Sequence, residues 1–182
     1  MLDDYKAVLT FWFGPEAEPY WFRRNPGFDD AIREGFLGTY RAARDGQLLT
    51  WEALPRGALA LVIVLDQFPR NLFRGTPEAF ATDAMALRIA GDAVDRGFDA
   101  ALEPQEQGFL YMPFMHSENL AEQRRAVALF RAAGLTKNLP HAEQHHEIIE
   151  RFGRFPHRNA VLGRDTTVEE QRYLDSPGAF RG

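Results

Sequence analysis

The chain has 182 residues, of which 45% are apolar and 26% charged, the balance of a soluble globular protein and not of a disordered one. It has no cysteine, which excludes a disulfide framework, a Cys-ligated metal and a cysteine nucleophile. The net charge of −5 argues against a general nucleic-acid binder, which needs a basic footprint.

At the N-terminus, Met1-Leu2-Asp3-Asp4-Tyr5-Lys6 has neither the basic start nor the apolar run of a secretory signal. Asp3 and Asp4 are caps for a first helix to Phe13, stopped by Gly14-Pro15. Residues 15–25 read as a loop rich in proline and aromatics. Over 26–45, Phe28, Ile32, Phe36 and Tyr40 recur at steps of four and mark one face of a helix. Thr50 can cap a short turn before Pro55. Gly57 to Gln67 is apolar up to Asp66, too short for the roughly 20 residues of a membrane span. It reads as a buried helix in preference to a strand, because no second strand offers itself for pairing.

Thr76-Pro77-Glu78 predicts a helix start, with the helix running to Arg96 and ending at Gly97. Residues 104–111 read as helical, with Pro113 breaking the run. Ser117 is expected to cap a helix to Ala133, and Pro140 to open another that ends at Gly153. Thr166 and Thr167, each three residues before a glutamate, predict a capping box for a last helix to Leu174. The expectation is an all-α fold of antiparallel helix pairs, about eight or nine helices in one domain over 1–182. A cytoplasmic protein with no membrane segment follows as the default.

Of the 21 basic residues, 19 are arginine, a bias with a compositional reading and a chemical one, since only arginine grips carboxylate or phosphate in bidentate fashion. Two segments give it a place. Gln67-Phe68-Pro69-Arg70-Asn71-Leu72-Phe73-Arg74-Gly75-Thr76 is echoed by Arg154-Phe155-Pro156-His157-Arg158-Asn159 and the residues to Thr166. In the structural reading, each proline stops a helix while the phenylalanine packs back and the arginine ties the loop down. In the functional reading, the two arginine-bearing loops converge on one anionic ligand. Between Arg151 and Arg164 there is no acidic residue, so that segment is locally positive.

Asp66, at the end of an apolar helix, needs a partner. Arg70 or an arginine of the second loop would make it a structural ion pair, whereas His116 or His157 beside it would make an acid–base pair. Ser117 reads as a helix cap, since its surroundings lack the glycines of a nucleophile elbow. His141 and His145 are four apart on a predicted helix, but Glu143 is misplaced for a zincin motif. Spacing brings at most two ligands together, so no metal and no cofactor is assigned. Trp12, Phe13, Tyr20, Trp21 and Phe22 read mostly as core, with some available to line a pocket.

Four segments together resemble the bacterial family known as domain of unknown function 924. They are Val8 to Gly14, Leu65-Asp66-Gln67-Phe68-Pro69-Arg70-Asn71, Tyr111-Met112-Pro113-Phe114-Met115-His116-Ser117-Glu118, and Ile148 to Asn159. The resemblance implies an all-helical fold similar to tetratricopeptide repeats and no established activity, although the repeat's sequence signature is absent. The family's polar pattern falls on Asp66, Gln67, Arg70, Asn71, His116, Ser117, Glu118, His145, Arg154, His157, Arg158 and Asn159.

Three functions compete. One is a binding module whose Gln67, Arg70, Asn71, Arg154, Arg158 and Asn159 hold an anionic small molecule or a peptide carboxylate. Another is a hydrolase-type enzyme in which Asp66 or Glu118 works with His116 or His157. In the last, these residues only cross-link helix ends. The sequence sets no oligomeric state.

Overall fold

The computed structural model describes residues 4–182. Asp3, named above as a cap, lies outside them. Among the described residues there are nine α-helices and no strand: α1 (Tyr5–Trp12), α2 (Pro26–Arg44), α3 (Pro55–Val62), α4 (Phe68–Leu72), α5 (Asp83–Asp95), α6 (Pro104–His116), α7 (Leu120–Ala132), α8 (Leu139–Phe152) and α9 (Val168–Leu174). None is long and apolar enough to cross a membrane.

Several boundaries follow local chemistry. The Asp4 carboxylate accepts from Lys6 N at 2.9 Å and caps α1, and the Asn25 side chain accepts from Phe28 N at 2.9 Å and caps α2. Thr167 and Glu170 close the expected capping box of α9. Gly153 ends α8 at φ +69°, a left-handed turn that other residues resist.

The long apolar segment is a central rod. Residues 58–65 are all buried, and each wholly buried Leu, Ile, Val or Phe contributes about 1.5–3 kcal/mol. Around it pack α1, α2, α5 and α6, while α7 rests on α6 and α8 on α7. A second, smaller apolar cluster joins Ile148, Ile149 and Phe155 to Leu120, Phe152, Tyr173 and Phe180.

Four expectations are corrected. Phe68-Pro69 does not stop the rod: α3 passes through one π-helical turn, Ile63–Gln67, directly into α4. Pro69 has no N–H for the carbonyl of Leu65 four residues back, and the Thr82 hydroxyl donates to that oxygen instead, at 2.5 Å. The helix expected over 76–96 is divided into a 3₁₀ turn, Pro77–Phe80, and α5. The division turns Thr82 inward to serve the rod, and the Thr76 hydroxyl donates to Phe73 O without capping anything. Pro113 lies inside α6 without breaking it, because residues 108–115 are buried on all sides and their packing outweighs one lost hydrogen bond. Finally, Asn119 caps α7, accepting from Ala121 N at 2.8 Å; Ser117 precedes the helix and accepts from Asn119 N at 3.1 Å.

Candidate functional site

The π-turn widens the rod at the point where its polar residues begin, and α6 ends against it. Asp66 is thereby held with no exposed surface, facing His116 at the C-terminus of α6. The His116 Nδ1 lies 2.8 Å from Asp66 Oδ1 and 3.0 Å from Oδ2. Gln67 Nε2 donates to Asp66 Oδ2 at 2.6 Å, and an Arg70 nitrogen stands 3.4 Å from Oδ1. Burial pushes the Asp66 carboxyl up, but Arg70, His116 and the Gln67 amide outweigh it and hold it below the ordinary carboxylate range. Against an ionised Asp66, the Nδ1 of His116 must carry the proton. In the neutral ring, Nε2 is then an acceptor. Burial also pushes His116 below its usual value, against the pull of Asp66 and with the help of Arg70.

One arginine of each echoed segment, Arg70 and Arg158, reaches this point. Arg70 chelates Asp83, the first residue of α5, with both bonds at 2.9 Å, and also donates to Asp66 O. Arg158 comes from the second segment, where Pro156–Arg158 form a 3₁₀ turn. Its guanidinium donates to His116 O at 3.0 Å and lies 3.7 Å from Asp83 Oδ2. It is stacked between Phe155 and Phe80, 4.5 and 4.7 Å from the ring centroids. Its side chain is 8% exposed, yet Arg158 Nε has no partner among the described residues. Burial and the charge of Arg70 pull its pKa down to about 10.

Two more imidazoles close the centre. His145, on α8, has Nδ1 2.7 Å from His141 O, and its ring centroid is 6.5 Å from that of His116. Burial, reinforced by His116, lowers it to about 3. His157 is lowered to about 4 by burial and by Arg158, and its Nδ1 is buried without a partner among the described residues. The centre thus balances two carboxylates against two guanidinium groups, with the histidines neutral near pH 7.

The remaining candidates lie in other networks. Glu118 accepts from Phe155 N at 2.8 Å and is chelated by Arg164 at 2.7 and 3.0 Å. Arg154 chelates Glu170 at 2.5 and 2.8 Å, away from Arg158. Asn159 accepts from Arg164 at 3.0 Å and donates to Glu170 at 3.3 Å. Asn71 donates to Asp29 of α2 at 2.8 Å, which also holds Arg74. These side chains shape the two segments from outside. Among the described residues no three His, Asp or Glu converge as metal ligands. Asp83, Phe80 and Phe180 were missed by sequence reasoning. Asp83 and Phe80 sit in what reads as one continuous helix, and Phe180 in a tail without a motif.

Two surface grooves lie away from this centre. One of about 450 Å³ lies over α7 and α8 and includes Arg124, Arg131 and Glu143, and one of about 170 Å³ lies over α8 and α9 near Gln144 and Tyr173.

Residues 8–178 match the family described as bacterial protein of unknown function, DUF924. The chain belongs to the DUF924 family. The fold of this DUF924 protein is similar to that of a protein of unknown function, ATU0120 from Agrobacterium tumefaciens, with a TM-score of 0.88 at 42% sequence identity. That match covers 94% of this chain and 96% of the other. No curated protein matches the DUF924 chain.

Proposed function

We propose that this DUF924 protein binds a small anionic molecule at the Arg158–His116 centre and that His116, oriented by Asp66, exchanges a proton with it. The Asp66–His116 pair carries the reading. A fully buried carboxylate fixes Nδ1 as the protonated nitrogen, so Nε2 is left as the proton acceptor. Arg158 supplies the attraction for an anion: it is immobilised by two aromatic faces, and its Nε remains free to donate. An arriving anion would also favour protonation of His116 and His157, which burial now holds neutral. The reaction class is acid–base chemistry at a bound anion, and hydrolysis is one member of that class.

Inorganic phosphate and acetate are the probes, followed by calorimetry in buffers of different ionisation heat. Binding of either is expected, with uptake of a proton. Arg158→Ala and His116→Gln should each weaken it by about tenfold, ~1.4 kcal/mol. Arg154→Ala, which removes an arginine already chelating Glu170, should leave it unchanged. Absence of binding, or equal losses in Arg154→Ala and Arg158→Ala, would overturn the reading.

A further inference from the structure

The residues after α9 fold back over the imidazoles. Ser176–Gly178 turn the chain, and residues 179–182 have no regular structure. The Phe180 ring lies 4.4 Å from the His145 centroid and 4.9 Å from that of His157, edge-on to the latter. At Gly182 the backbone passes so close that an added β-carbon would lie 3.1 Å from His157 Cδ2. Phe155 completes the aromatic group, 5.3 Å from His145 and 5.6 Å from His157.

We infer that Gly178–Gly182 is a displaceable cover on the His145–His157 side of this site, and that Phe180 is the side chain that screens those two imidazoles from solvent. The inference rests on the anion reading of the site. The cover is held lightly. Phe180 N donates to the Tyr173 hydroxyl at 2.9 Å, Gln144 Nε2 reaches Gly178 O at 3.5 Å, and Arg181 donates to Leu174 O at 3.0 Å. None of these bonds ties the segment to the rod, and Phe180 itself is only half-buried. A segment with few buried contacts and few backbone hydrogen bonds opens at low free energy while the core stays folded. The groups it screens are of one kind. His145 faces His116, His157 and Arg158, and His157 faces Arg158, Glu118 and His116, so water admitted there would meet imidazoles that burial now keeps neutral.

Deuterium incorporation at the Cε1 position of His145 and His157, read by mass spectrometry in the intact protein, tests the cover. If the segment opens locally, exchange at both histidines is faster than global unfolding alone would permit and is insensitive to low urea. Phe180→Ala should accelerate both by about tenfold or more, and Phe180→Trp, which keeps the ring contact, should not. Exchange in the native protein that follows the urea dependence of global unfolding would overturn the inference. So would a Phe180→Ala protein, folded by circular dichroism, with unchanged exchange. No anion enters the measurement, so its failure removes the cover while the anion reading stands or falls on its own titration.

Discussion

Replacing Asp66 by asparagine tests the polar centre at its most buried point. The substitution keeps size and shape and removes one charge. Asp66 Oδ1 serves His116 and Arg70, and Oδ2 serves Gln67. If the asparagine oxygen takes the Oδ1 place, its amide faces the amide of Gln67. Gln67 must then flip, which costs its 3.3 Å contact with Met112 Sδ. Two hydrogen bonds to a charged acceptor, from His116 and Gln67, become neutral ones, a loss of about 1 kcal/mol each. Arg70 loses its attraction to Asp66 but keeps its chelate with Asp83, so the cost stays below the ~3–5 kcal/mol of a buried ion left alone. The expected destabilisation is about 2–3 kcal/mol, a fall of roughly 4–12 °C in Tm for a chain of this size.

Urea unfolding at fixed temperature measures this, with an unchanged m-value confirming that the same surface is exposed. The pH dependence gives a second check. The folded carboxyl lies below its unfolded value of about 3.9, so its stabilisation is complete above that pH and is lost as pH falls through the folded value. The difference between native and Asp66→Asn proteins should therefore not narrow from pH 7 to the ordinary carboxylate range, where the pull of Asp66 on the His116 proton can only widen it, and should narrow only below that range. A difference under about 0.5 kcal/mol at pH 7, within the range of ordinary surface substitutions, or one that narrows already between pH 7 and 5, would refute the reasoning.

His145 and His157, lowered to about 3 and about 4, bind protons more readily unfolded than folded, so their contribution is full above about pH 6.5 and fades as pH falls towards those values. The double variant His145→Gln, His157→Gln should flatten the stability profile between pH 6.5 and 4 in acid titrations followed by circular dichroism. Thr82→Val leaves the Leu65 carbonyl, which Pro69 cannot serve, without its hydroxyl donor, and should cost about 1–2 kcal/mol in urea unfolding. At Gly57 an added β-carbon would collide with the Trp51 carbonyl oxygen and lie 3.0 Å from its carbon, whereas at Gly35 it meets nothing within 4 Å. Gly57→Ala should thus destabilise by about 1–3 kcal/mol and Gly35→Ala stabilise by about 0.5–1 kcal/mol, in the same assay.

What the sequence determined by itself is local and periodic. The four-residue spacing of Phe28, Ile32, Phe36 and Tyr40, the aspartate, threonine and glycine at helix ends and the lack of any strand pair were enough for an all-helical chain, because those signals act within a turn or two. The residues of the DUF924 pattern were legible too, down to Asp66, His116 and Arg158. Their grouping was not. Asp66 and His116 are 50 residues apart, and Arg158 is 42 beyond His116. Only packing decides that a rod and the end of α6 bring the first two within 2.8 Å while Glu118 and Arg154 turn to other partners. Tertiary contact also overruled local rules at Pro69 and Pro113. Each proline removes one backbone hydrogen bond, worth about 0.5–1.5 kcal/mol net, and the burial of the surrounding side chains exceeds that loss.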